Sequence, residues 1–415
     1  MIPDLSSLRV LEIGTAVSVP LMGAVLTNLG ADVIKIESRR KLDGNRVRVR
    51  KGGGADKSGA TTVDDSFPLW HEFNGGKRSV LLNLKSKVGL ELFTKLIRQS
   101  DLFIQNFAPG WLERVGLGAQ KLLELNPRLI MVFASGYGQQ GPKSQQRVYA
   151  SVMTALGGQE ALIGEESGEV MGGMPIAFGD FNSTYHGLTS LFSALIQRER
   201  TGRGCMIDLS QIEAVTATLS EAFVEYQITG LLPKPAGNRS AHRMPHGIFP
   251  CSGEDRWLTL SIGTDAEWAR LVELIRQSDA DIGGALADPA WQQHSGRQRD
   301  RDAVEQLLSR WTRKFDRDEL PARLQAAGLY SSPVLESDEM ELDEHYRARQ
   351  FVRDVNHPRL GAIPVTSTPW MFDGQTRSAR ASGPALGEHT AEVLCELCGL
   401  DPQQVEQLTK EEHLA

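Results

Sequence analysis

Apolar runs that end in glycine or a polar turn alternate with helical spacing between residues 8 and 138. LRVLEIG (8–14), ADVIKIE (31–37), SVLLNL (79–84), DLFIQNF (101–107) and LIMVFASGYG (129–138) read as short buried strands. Between them PLMGAVLTNLG (20–30), KVGLELFTKLIRQS and GAQKLLELNP repeat apolar residues every three or four positions, the first closing on a glycine stop. Strand, helix, strand in this order predicts a parallel sheet with right-handed crossovers. Segment 41–66 has no such period and is rich in Gly, Asp and Lys, which predicts a long surface loop over a site.

A long helix is predicted after Asp180, over FNSTYHGLTSLFSALIQRERTGRG, stopping at Thr201 and Gly202. CMIDLS (205–210) is then a strand and QIEAVTATLSEAFVEYQITG (211–230) a single helix. PKPAGNRS (233–240) reads as a linker. The predicted organisation is a large lobe over 1–232, a small lobe over 233–330, and a segment 331–415 that returns to the large lobe. The small lobe mixes short strands, GIFPC and WLTLSI, with the helical patterns AEWARLVELIRQ and RDAVEQLLSRWTRK. The tail has an extended stretch near 351–372 and a final helix after GEHTAEVLCELCG, but no core of its own. The fold class is α/β: a large Rossmann-like lobe with a parallel sheet, plus a smaller α+β lobe.

At 415 residues the chain fits two domains better than one minimal core. Its 45 Lys and Arg against 52 Asp and Glu leave a net charge of −7, which argues against a protein that coats nucleic acid. No apolar run reaches the roughly 18 residues of a membrane span. The opening MIPDLSSLRVLEIG has neither a basic n-region nor an apolar h-region, so the expected location is cytoplasmic. Four cysteines make no disulfide scaffold; Cys395 and Cys398, one helical turn apart on an apolar face, read as packing. The scattered histidines form no metal motif, and His389 at a helix start reads as structural. Glu37 ends the second strand where a ribose-binding acid would sit, yet Gly14 is followed by TAVSVP and the glycine pattern of a dinucleotide loop is absent. GGKRS likewise has Arg where a phosphate loop needs a hydroxyl.

The most informative position is Asp180 in AFGDFNSTYHG. The plain reading is a helix N-cap, which satisfies free N–H groups at the helix start. The chemical reading is a covalent nucleophile: a carboxylate at a helix N-terminus, reached through flanking glycines. Spacing alone leaves both open and favours the cap.

Taken together, LRVLEIGTAVSVP, LGADVIKIE, NGGKRSVLLNL, IQNFAPGWLERVGL, ELNPRLI, SGYGQQGP, GDFNSTYHG, TGRG and GPALGEHT occur in an order that resembles the class III, formyl-CoA transferase-like coenzyme A transferases. The resemblance runs nearly end to end and implies an acyl-CoA:carboxylic acid CoA-transferase with Asp180 as nucleophile. It implies an aspartyl mixed anhydride and then an aspartyl-CoA thioester, with CoA esters as substrates and no tightly bound cofactor. Asn106, Phe107, Ala108 and Arg114 match the family's CoA-contacting element, and Leu82 to Lys85 match the stretch beside the adenine. Arg147 stands where the family has a lysine, with Tyr149 two residues on, and Arg39, Arg40, Arg114 and Arg147 would supply charge for the CoA phosphates.

Three departures bear on specificity. The active-site glutamine of formyl-CoA transferases falls at Val17; Ser18 beside it is grouped with the CoA contacts. The arginine after the VIKIE strand is shifted by one, with Ser38 and then Arg39. The glycine run of the oxalate enzymes is missing from 240–262. Apolar VSVP and PHGIFPC suggest an acid larger and less polar than oxalate. Racemases of the same fold use a His-Asp pair where this chain has Arg147-Val148-Tyr149-Ala150, which offers no suitable acid or base. A non-catalytic partner subunit of a heteromeric transferase is the other alternative. The resemblance further implies a homodimer of interlocked rings, with apolar linker faces over 211–240 and about 320–345.

Overall fold

The computed structural model describes residues 4–47, 66–165, 177–377 and 381–415. Six strands form one parallel sheet: β1 (Arg9–Ile13), β2 (Asp32–Glu37), β3 (Arg78–Leu81), β4 (Leu102–Gln105), β5 (Ile130–Ser135) and β6 (Met206–Ser210), in the order β3-β2-β1-β4-β5-β6. Helices Ser18–Asn28, Lys87–Arg98, Ala119–Leu125 and Phe178–Thr201 lie among the crossovers. The strand order reverses between β1 and β4, so the loops leaving their C-terminal ends part there and open a crevice, where sheets of this kind bind ligands.

Successive residues of each strand serve opposite faces, and each face is covered. Leu11, Ile34, Phe93 and Phe103 share a core with Val393, Leu394 and Leu397 of the late helix Thr390–Cys398, so the tail obtains its core from this sheet. Val10, Val33, Val19 and Met22 pack on the other face with Leu188 and Leu191 of the long helix. Cys398 is buried in the first core, where burial pushes its thiol up to about 11; it packs rather than reacts. His389 is structural: its backbone N–H donates to the Ser79 carbonyl and its Nδ1 accepts from the Ser79 N–H.

A strand buried on both faces should carry no lone charge, yet Glu12 and Lys35 are opposite one another in the β1–β2 register and are both buried. Lys35 Nζ lies 3.0 Å from Glu12 Oε1 and 3.2 Å from Asp43 Oδ2, and donates to the Gly14 carbonyl at 2.7 Å. Lys77 Nζ lies 2.7 Å from Glu12 Oε2 and also donates to the Pro20 carbonyl at 2.8 Å. Next to them Arg46 holds Glu37 through two bonds of 2.8 Å and stacks 3.5 Å from the Trp70 ring centre. Three carboxylates thus face three cations with almost no solvent. Burial by itself would lower the Lys35 ammonium, but Glu12, Asp43 and Glu37 together raise it above the ordinary lysine range. The expectation of a surface loop from 41 is corrected here, because Asp43, Asn45 and Arg46 are buried. Their polar composition serves an internal ion cluster. The remainder of that loop, 48–65, lies outside the described residues.

Two compact units emerge: Met1–Glu160, Gly173–Gly230 and Glu341–Ala415 form the first, and Ala161–Gly172 with Leu231–Met340 the second. In the second, strands β7 (His246–Pro250), β8 (Trp257–Ser261) and β9 (Tyr330–Pro333) form an antiparallel sheet over Trp268, Leu271 and Trp311. It continues past the boundary expected at 330 because β9 pairs with β8. The extended stretch of the tail is a hairpin of β10 (Val352–His357) and β11 (Gly361–Thr366), tied to the first unit where Glu72 accepts from the Thr366 N–H. The single helix expected over 211–230 is broken. Gln211–Thr216 passes through a tight turn at Ala217–Leu219 to Ser220–Thr229, with Thr216 and Thr218 hydroxyls bonded back to the Ile212 and Val215 carbonyls.

Gly23 lies inside the helix Ser18–Asn28, where alanine would ordinarily be favoured by roughly 0.8–1 kcal/mol. A Cβ at this position would strike the Glu12 carboxylate and crowd Lys77. Gly23→Ala is therefore expected to destabilise the protein by about 1–3 kcal/mol, as overpacking does. Urea denaturation measures this, and a variant as stable as the wild type would show that the ion cluster yields easily.

Candidate active site

The loop leaving β1 is shaped by the ion cluster. Ala16 has a left-handed backbone, φ 61°, which costs a residue with a Cβ about 1–2 kcal/mol. Asp43 Oδ1 accepts the Ala16 N–H at 3.1 Å, and Asn45 Nδ2 donates to the Ala16 carbonyl at 2.6 Å. From across the β1–β4 crevice Asn106 clamps Thr15 twice, accepting its N–H at 3.1 Å and donating to its carbonyl at 2.9 Å. The loop is thereby fixed on both sides, and it presents Ser18 as the first residue of a helix.

Ser18 faces Asp180, and its backbone N–H and hydroxyl favour the charged form of that carboxylate. The Gln211 amide donates to this carboxylate, Nε2 lying 3.2 Å from Asp180 Oδ1. The N-cap reading of Asp180 is corrected by this geometry. The long helix begins at Phe178 with Ala177 at its cap position, and Asp180 sits in the first turn with its carboxylate turned to the neighbouring elements. Thr184 Oγ1 donates to the Ser18 carbonyl at 2.8 Å and locks the two helix starts together. Burial raises the Asp180 carboxyl above the ordinary aspartate range, and the bond from Gln211 and the nearby Ser18 oppose that rise.

Two cavities lie beside this point. The larger, about 510 Å³, has an apolar wall that includes Leu82, Phe107 and Trp111, and cations that include Arg40, Lys85 and Arg114. The smaller, about 420 Å³, is lined by Asn106, Phe107, Ala108, Arg114, Arg147 and Gln211 among others. Phe107 and Arg114 belong to both linings, so the two spaces adjoin, and Gln211 connects the smaller one to Asp180.

Of the residues expected to contact CoA, the structure gathers Leu82, Lys85, Asn106, Phe107, Ala108, Arg114 and Arg147 around these cavities. Three others fall elsewhere. Ser18 is buried and lines neither space. Arg39 lines neither; Arg40 does, since the chain turns at Ser38 toward the tail, whose Ala415 carbonyl accepts from Ser38 Oγ at 3.0 Å. Tyr149 caps the helix Ala150–Leu156 and is 73% exposed. Of the apolar residues taken to favour a less polar acid, Val19 packs behind the sheet and Phe249 inside the second unit, whereas Ile248 is 43% exposed. Sequence reasoning missed Gln211 and the ion cluster. The matching charges of VLEIG and VIKIE were a usable sign of the cluster. Nothing in DLSQIE singled out its glutamine. Among the described residues no cluster of His, Cys, Asp and Glu could hold a metal ion, and no helix is long and apolar enough to cross a membrane.

The family model for CoA-transferase family III matches residues 5–390. The chain belongs to CoA-transferase family III. This transferase is similar to the succinyl-CoA–D-citramalate CoA-transferase of Chloroflexus aurantiacus, with 30% identity over 95% of this chain and 94% of that one. It is 31% identical to the α subunit of the succinyl-CoA–L-malate CoA-transferase of Chloroflexus aurantiacus, over 97% of this chain and 91% of that one. A crystal structure of a CaiB/BaiF family protein from Brucella suis superposes with a TM-score of 0.83 at 29% identity, covering 96% of this chain and all of that one. The transferase therefore acts on CoA thioesters and an acid.

The raised carboxyl of Asp180 has a consequence for stability. Its native value lies above the unfolded one of 3.8, so the folded state takes up this proton first. The cost of the buried charge is present above the native value and is relieved as pH falls through it. Relative to Asp180→Asn, wild-type stability should rise between pH 8 and pH 4. Urea midpoints for both proteins across that range measure it, and a difference that does not change with pH would contradict the raised value.

Proposed function

We propose that the transferase moves CoA from succinyl-CoA to a short dicarboxylic acid, with Asp180 as covalent nucleophile. The observation that carries this reading is a carboxylate that holds the Gln211 amide, faces Ser18 and stands beside a cavity with free guanidinium groups. The donor and the acid class follow the two relatives, which are named for succinyl-CoA with D-citramalate and with L-malate. Ser135, Gln146, Arg147 and Gln211 give the smaller cavity the polar lining that a second carboxylate needs.

In the first step Asp180 attacks the thioester carbonyl, the C–S bond breaks, and CoA leaves as thiolate. The thiolate then attacks the aspartyl carbonyl, releasing the donor acid and leaving an aspartyl-CoA thioester. The acceptor carboxylate displaces CoA to form a second mixed anhydride, and CoA finally takes the acceptor acyl group, restoring Asp180. A carboxylate is a weak nucleophile toward a thioester. Tethering makes the later steps intramolecular, with effective molarities on the order of 10⁵ M. The apolar wall and cations of the larger cavity suit the nucleotide end of CoA, and Arg114, common to both spaces, suits its phosphates. Racemisation would require proton-transfer groups, and among the described residues the lining of the smaller cavity contains no carboxylate or imidazole.

Asp180→Asn is expected to abolish transfer while CoA binding persists. Wild type incubated with succinyl-CoA and hydroxylamine should gain a hydroxamate at Asp180 by mass spectrometry. Arg114→Ala and Arg147→Ala should raise the KM for succinyl-CoA about tenfold, with a smaller fall in kcat, as the loss of a charge-assisted bond does. Normal turnover by Asp180→Asn would refute the covalent mechanism, and a wild type that neither labels nor turns over would favour a silent subunit.

The assembly proposed is a homodimer of interlocked chains. In the helix Ser220–Thr229 no residue is buried, and Phe223, Val224 and Tyr226 are about half exposed, with Ile228 at 79%. These exposed apolar side chains are more than a lone chain ordinarily presents. Mass photometry at nanomolar concentration should find a dimer that does not dissociate on dilution. A folded monomer appearing reversibly would refute the interlocked assembly, and a mass requiring a second kind of chain would make it a heteromer.

A further inference from the structure

We infer that Gln211 is a catalytic residue, whose carboxamide donates to Asp180 Oδ1 in the free enzyme and to the same oxygen when the aspartyl carbonyl is attacked. The inference rests on Asp180 being the nucleophile, and it adds a group that the sequence reading did not assign.

The hydrogen-bond pattern fixes which end of the amide faces Asp180. One terminal atom of Gln211 lies 3.2 Å from Asp180 Oδ1 and 3.0 Å from Ser183 Oγ. A carboxylate can only accept, and the single proton of Ser183 goes to the Asp180 carbonyl at 3.0 Å. Both contacts therefore need a donor, and the atom is the amide nitrogen with its two hydrogens committed.

The placement of Gln211 does not depend on that amide. Ser210 ends β6 and caps the helix Gln211–Thr216 by accepting from the Glu213 N–H at 3.3 Å. The Ile212 N–H donates to the Gly136 carbonyl at 3.0 Å, and Asn182 Nδ2 donates to the Ala214 carbonyl at 2.7 Å. The helix start is thus pinned to the end of β5 and to the long helix by other groups. An apolar side chain of equal length would fill the space, whereas a buried amide must be hydrogen-bonded to be tolerated. Gln211 also lines the smaller cavity, so its amide lies between the nucleophile and the space open to an acyl group.

The chemistry follows from the oxygen it holds. With Oδ1 engaged, Oδ2 is the oxygen that attacks the thioester, and the C–S bond breaks as CoA leaves. When the thiolate adds to Cγ, negative charge develops on Oδ1, and the Cγ–Oδ2 bond then breaks to release the donor acid. Oδ1 remains an acceptor throughout, so a donor placed on it beforehand is preorganised for the charge that develops. Among the described residues the groups acting on the Asp180 carboxylate are the neutral donors of Gln211 and Ser18. Loss of one of them should leave the carboxyl still harder to ionise.

The test uses the full chain and the exchange of ¹⁴C-succinate into succinyl-CoA, which takes Asp180 through every covalent state. Gln211→Met keeps the length and removes both donors. Its kcat should fall at least tenfold, its KM for succinyl-CoA should stay within threefold of wild type, and the acid limb of kcat/KM should move to higher pH. Gln211→Glu, close in shape to the amide, guards against misfolding of the first variant, and its added carboxylate should move the acid limb further in the same direction. Unchanged kcat in both variants, or a fall in kcat with an unmoved acid limb, would overturn the role. Those results with wild type labelled at Asp180 and Asp180→Asn inactive would remove Gln211 alone. If Asp180→Asn still exchanges, or no label forms, the role of Gln211 falls together with the nucleophile.

Discussion

The ion pair between Glu12 and Lys35, buried in the centre of the parallel sheet, is the constraint on which the rest of the site depends. Breaking such a pair leaves an uncompensated charge and typically costs about 3–5 kcal/mol, so both partners stay where the strands place them. Lys35 in turn holds Asp43, Asp43 holds Ala16 in its left-handed turn, and that turn aims Ser18 at Asp180. The site is thus assembled on rigid strand ends and not on a mobile loop. Asn106 completes the arrangement from β4, so the loop is fixed from both sides of the crevice.

This chain of contacts also separates two tasks in adjoining spaces. Cations and aromatic rings of the larger cavity are suited to recognition, while the neutral donors around Asp180 act on the chemistry. A full positive charge next to Asp180 would favour its anion and blunt it as a nucleophile. Neutral groups, the Gln211 amide bonded to Oδ1 and Ser18 facing it, favour the carboxylate without lowering its basicity as far. Burial supplies the opposing push.

Much of this was legible in the sequence. LRVLEIG and ADVIKIE announced β1 and β2 because a buried parallel strand is mostly apolar, Glu12 and Lys35 being the paired exceptions. The start of the long helix was misjudged because a carboxylate near a helix start has the same local pattern whether it caps that helix or faces another. The burial of Asp43, Asn45 and Arg46 was hidden because a polar segment around internal charges has the composition of a surface loop. Gln211 was invisible for a different reason: its partner is 31 positions away, joined to it only by the packing of two helix starts.

The strand order is that of dinucleotide-binding sheets, in which the first helix N-terminus ordinarily receives a ligand's pyrophosphate. Here the seat is already taken, since Ser18 at that terminus faces the carboxylate of the protein's own Asp180. The chain has in effect internalised the anion that the architecture was built to hold. Restoring glycines to the turn after β1 would therefore not turn this scaffold into a nicotinamide or flavin binder while Asp180 occupies the vacancy such a cofactor would need.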